Sequence, residues 1–149
     1  MDWSAFYGLL TLLAIGVAMT MGRAPPLMCG LLLLTDWFLT GQAVTWLGFD
    51  RAPALIAPID ATIAICILAV AVRGKCVVGY QIFGIYLIGG AWHLASYFNG
   101  QVGSYTYYAV LNILYAAAVL IVIGAGMHHA FIGRARQRRG VLRPLAARH

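Results

Sequence analysis

Five apolar runs of close to twenty residues each, separated by breaks too short to hold a domain, constrain this chain more than any other feature. They extend from Trp3 to Met21, Pro26 to Gly48, Ala54 to Val72, Val77 to Phe98 and Ser104 to Met127. A helix rises about 1.5 Å per residue, so roughly 20 residues match the ~30 Å hydrocarbon core of a bilayer. Within lipid every backbone amide must be satisfied inside the segment, and a helix does that. The alternative, a soluble core, fails for want of a polar shell. The 149 residues are 62% hydrophobic and 9% charged, with four Asp and no Glu, whereas soluble domains are about 25% charged. The expected fold is an all-α, polytopic transmembrane helical bundle of about five spanning helices over residues 1–131, followed by a basic tail, 132–149.

The breaks carry the signals of helix ends. GRAPP holds two prolines that can open a helix but not continue one; GFDRAP and RGK are charged; NGQVGS is a turn cluster. The third run is the short one. If Pro58 opens its helix, the stretch to Arg73 spans only about 24 Å and needs local thinning or snorkelling. Before the first run stand an acid and no Lys or Arg, the reverse of a secretory leader, so that segment is expected to stay in the mature protein.

Basic residues in short loops set orientation. Arg23, Arg73 and Lys75 fall on the same side as the tail, and only Arg51, beside Asp50, falls opposite. An N-out, C-in chain in a bacterial inner membrane is expected. In the tail, Arg134, Arg136, Arg138 and Arg139 are placed to contact anionic lipid headgroups, worth about 1 kcal/mol per basic residue near the surface. A nucleic-acid partner is not expected, because GRARQRRGVLRPLAARH lacks aromatic or groove-reading partners. Aromatics mark the outer ends: Trp3, Phe6 and Tyr7, Trp46 and Phe49, Tyr97 and Phe98, and Tyr105, Tyr107 and Tyr108 occupy the belt position.

Against this background the polar residues inside the runs stand out, Asp36 first. Depth along each helix, measured from the inner end, puts Asp36 and Tyr86 near a common level at about 15 and 14 Å. Gln42, Asp60, His93 and Asn112 form an outer layer at roughly 24, 20, 24 and 22 Å. An ionised Asp at the midplane costs about 2.5 to 3.5 kcal/mol, so Asp36 should be neutral or partnered, with Thr40 and Tyr86 as candidates. It reads as a neutral interhelical lock or as a proton or ion site. Tyr86, His93 and Tyr97 share one face of the fourth run, and Gly89 and Gly90 offer a close backbone approach. Asp60, the third residue of a helix opened by Pro58, suits the helix macrodipole, although it could also orient His93. Asn112 and Gln42 read as interhelical glue.

No cofactor or metal is expected. Cys29, Cys66 and Cys76 form no CxxC and no zinc spacing with His. The first two read as small apolar side chains. Cys76, beside Lys75, is the one thiol where palmitoylation or thiolate chemistry could be looked for. A bis-His haem would pair His93 with His128 or His129, roughly 20 Å away along the bundle. With no GxSxG, HExxH or phosphate loop, enzymatic activity is not expected either.

The DW of the second run, the PID opening the third, the WH late in the fourth and the Arg-rich end resemble those of uncharacterised small multi-pass membrane proteins of bacteria and their phages. Phage holins share the size and basic tail but have fewer spans. The expected role is an accessory or assembly subunit or interaction protein of a larger membrane complex, with a homo-oligomer as the other possible association. The alternative is a small proton- or cation-coupled transporter or channel built on Asp36 and the outer polar layer. A holin-like permeabiliser ranks behind both.

Overall fold

In the computed structural model the backbone is described for residues 3–21 and 24–146, and the side chains for 6–21 and 24–131. Five helices follow one another: α1 (Trp3–Thr20), α2 (Ala24–Leu47), α3 (Pro53–Gly74), α4 (Val77–Phe98) and α5 (Tyr105–Ala146). Four of them, α2 to α4 and the Tyr105–Phe131 part of α5, are long and apolar enough to cross a membrane. The described apolar part of α1, Phe6–Thr20, is shorter. The backbone of α5 continues as helix through most of the expected tail. The side chains of Arg134, Arg136, Arg138 and Arg139 lie outside those described.

Short connections force neighbouring helices to run antiparallel. Each helix packs on the next and α1 closes on α5, giving a ring in which α2 also leans across onto α4 and α5. One end, called upper here, collects Leu47, Pro53, Phe98 and Tyr105; the lower end collects Thr20, Ala24, Gly74 and Val77. Loops at the same end touch. Tyr108 donates to the Phe49 carbonyl at 2.6 Å, and Gly103 sits against Asp50.

The expected bounds of the third run, Ala54–Val72, are met to within two residues, and the reading in which Pro58 opens the helix is corrected. The helix opens at Pro53, whose missing N–H is free to be lost in a first turn, and continues past Pro58. Its 22 residues reach about 33 Å, so no thinning is needed. Asp60 is therefore seven residues beyond the start, with no acid in the first turn, and the macrodipole reading falls because that field fades within one turn. The proline costs a single hydrogen bond, on an exposed face of the helix.

Close packing also differs from the expectation at Gly89 and Gly90. A Cβ on Gly89 would meet Leu114 at an ordinary 3.8 Å and one on Gly90 would meet nothing. The tight crossing is lower, where a Cβ on Gly79 would come within 2.7 Å of the Ala71 Cβ, so α3 and α4 touch nearly backbone to backbone.

The buried apolar side chains form two clusters. The larger fills the lower half and includes Cys29, Leu33, Ile63, Ile67, Ile82 and Val122. The smaller, Ala43, Ala52 and Ile56, seals α2 against α3 near the upper end, with Tyr108 and Leu111 of α5 packed on it. Cys76 is buried, which removes the accessible-thiol reading, while Cys66 is the exposed cysteine.

Candidate functional site

Between the two apolar clusters lies a polar group drawn from four helices. Asp36, in the middle of α2, is 6% exposed, and its Oδ2 accepts a 2.7 Å hydrogen bond from the Tyr86 hydroxyl of α4. Thr40 is not its partner. The other carboxylate oxygen, Oδ1, is buried and unpartnered among the described residues. Asp60 of α3 faces Asp36 closely enough for the two carboxyls to interact.

Asp60 is tied to α4 in turn. Its Oδ2 lies 2.9 Å from His93 Nε2, and His93 Nδ1 lies 2.7 Å from the Tyr107 hydroxyl of α5. Both ring nitrogens are thereby engaged, and one tautomer satisfies both contacts: Nε2–H donates to Asp60 while Tyr107 donates to Nδ1. The Trp92 indole N–H donates to the Tyr107 carbonyl at 3.3 Å, bracing the α5 end against α4.

A second hydroxyl pair sits beside Asp36. The Tyr115 hydroxyl reaches the Leu33 carbonyl at 3.0 Å and Thr11 Oγ1 at 2.7 Å, while Thr11 also reaches the Tyr7 carbonyl at 2.8 Å. Two hydroxyl protons serve three contacts, so one of the three is always without a proton. This pair joins α1, α2 and α5 and was not singled out from sequence.

The expected outer layer therefore comes together only in part. Asp60 and His93 meet. Gln42 is half-buried and makes no hydrogen bond among the described residues, and Asn112 is exposed on the outside of α5. Their place beside His93 is taken by Tyr107, assigned above to the aromatic belt but 1% exposed. Tyr97, expected on the same face as His93, is 74% exposed and packs edge-on against Phe98. Depth was the right coordinate for these residues; rotation about the helix axis was the missing one. Tyr107 differs from Tyr105 and Tyr108 only by that rotation.

His128 and His129 are exposed on α5 at the lower end, away from His93. Among the described residues no three His, Cys, Asp or Glu side chains converge as a metal site. No family model, curated protein or solved structure matches the chain.

Proposed function

We propose that this chain is a non-enzymatic assembly or interaction subunit of the bacterial inner membrane, crossing it five times with the N-terminus out and the C-terminus in, and that α5 is its contact helix. The observation that carries the reading is Asn112. Seven residues past Tyr105, about 10 Å below the upper end, its amide is exposed on a helix surface between apolar neighbours such as Ile113. An amide facing hydrocarbon without a partner is costly, and the usual remedy in membranes is a side chain of another helix, worth about 0.6 to 2 kcal/mol. Gln42, also without a hydrogen bond among the described residues, offers a second such group.

The orientation is supported by the placement of Arg23, Arg73, Lys75 and the tail arginines against Arg51. The tail arginines then face anionic headgroups. Gentle-detergent purification from native membranes should recover a defined partner, and a photo-crosslinker at position 112 should reach it, whereas one at Ile65, on the exposed face of α3, should not. Recovery of a clean homo-oligomer alone, or equal crosslinking from both positions, would refute the subunit reading.

A further inference from the structure

The polar group has a direction that neither packing nor assembly requires. Its upper members retain contact with the surroundings: the Asp60 side chain is 18% exposed and that of His93 is 9% exposed. Its deepest acid, Asp36, is closed off and keeps an unsatisfied oxygen, Oδ1. Below it the Tyr115 and Thr11 hydroxyls carry the polar group on by about one turn, to the Leu33 carbonyl. Asp36 itself lies eleven residues from Leu47, or about 16 Å. The remaining distance to Ala24, about 18 Å, is closed by the lower cluster, with Cys29, Ile67, Ile82, Val119 and Val122 across its section.

We infer that the bundle holds one exchangeable proton on the Asp36–Asp60 carboxyl pair, and loads and unloads it from the upper face only. Two carboxyls facing each other in a low dielectric cannot both be ionised, so one proton serves the pair. The Asp36 oxygen without a donor is the place where that proton satisfies an otherwise costly group. Facing Asp36 are Asp60 from α3, Tyr86 from α4 and Tyr115 from α5. Facing Asp60 are Asp36, His93 and Tyr86 from α4, and Tyr107 from α5. From α1 the nearby hydroxyl is that of Thr11, on Tyr115. The described basic side chains, Arg51, Arg73 and Lys75, are exposed at the bundle ends.

The loading step balances within these groups. A proton taken from water at the upper side goes onto the Asp60 carboxyl, whose side chain is 18% exposed, and is shared from there with Asp36, while His93 stays neutral with its Nε2–H on Asp60. The pair gains one proton. Unloading runs the same path backwards. Sustained conduction would need a donor path through the lower cluster, whose buried side chains are apolar.

The test uses the full chain in lipid vesicles sorted by a tag on the Asn99–Ser104 turn, with the two aqueous phases buffered at different pH. Difference infrared spectroscopy reads the C=O stretch of a protonated carboxyl, and a trapped dye reads proton flux. The expected result is one band that follows the pH of the upper face, disappears in Asp36→Asn, and is accompanied by no flux above protein-free vesicles. A band that follows the lower face or both faces overturns the proposal. So does sustained flux, a band that persists in Asp36→Asn, or a band displaced by sodium at constant pH. The sidedness measurement is made on the unsubstituted protein and does not depend on how well the variant folds.

Discussion

Removing the Tyr86 hydroxyl tests whether the Asp36 contact holds helices together. In Tyr86→Phe the ring stays and the 2.7 Å donor to Asp36 Oδ2 is lost. Because Oδ1 has no other partner among the described residues, the carboxyl keeps only its interaction with the Asp60 carboxyl. A buried acceptor stripped of its donor costs about 1 to 3 kcal/mol in water-soluble proteins, but hydrogen bonds between membrane helices average only about 0.6 and reach about 1.7 kcal/mol. The burial of Asp36 puts the expected loss at the top of the membrane range, about 1.5 kcal/mol. Taking away both partners, in Tyr86→Phe with Asp36→Leu, leaves no stranded polar atom, so the double variant should be no less stable than Tyr86→Phe alone. The assay is reversible unfolding in mixed micelles by titrated denaturing detergent, followed by circular dichroism, across the four members of the cycle. A coupling energy within about 0.3 kcal/mol of zero, the scatter of independent sites, would show that the contact contributes nothing and refute the reasoning.

In the same unfolding assay, Tyr107→Phe leaves His93 Nδ1 without its 2.7 Å partner and should cost about 1 kcal/mol, whereas Tyr97→Phe, at an exposed position, should change nothing measurable. Equal effects would place Tyr107 back in the aromatic belt. Gly79→Val forces a side chain against Ala71 at the α3–α4 crossing and should destabilise by about 1 to 3 kcal/mol. Gly84→Val, with nothing within 4 Å of its Cβ, should be close to neutral, and a reversal of that order would displace the crossing.

The relation between Asp36 and Asp60 changes what each is for. Depth alone made Asp36 a lower tier with its own partner and Asp60 a helix-end acid. The longer α3 places Asp60 on an interior turn, where it bridges Asp36 to His93. The acids then form a single group divided between α2 and α3, with the hydroxyls of Tyr86 and Tyr107 at its two ends. A structural lock and a proton site are not exclusive here, because a shared proton is what makes a carboxyl pair tolerable in apolar surroundings.

The chain by itself determined the environment, the helices and the depth of each polar group. Those follow from run length and from the fixed rise per residue, both local quantities, and they placed Tyr86 level with Asp36 and His93 level with Asp60. Tertiary structure alone decided which way each side chain turns. A membrane helix is apolar on its lipid-facing and buried faces alike, so hydrophobic periodicity does not mark the inward side as it does in a soluble bundle. For that reason Asn112 and Tyr97 were placed inward but face out, Tyr107 was assigned to the belt but is buried, and the Thr11–Tyr115 pair went unnoticed. The run Ala54–Val72 already gave the bounds of α3 to within two residues; what it left open was whether Pro53 or Pro58 opens the helix, and packing of the first turn, with Ala52 and Ile56 against α2 and α5, decides in favour of Pro53.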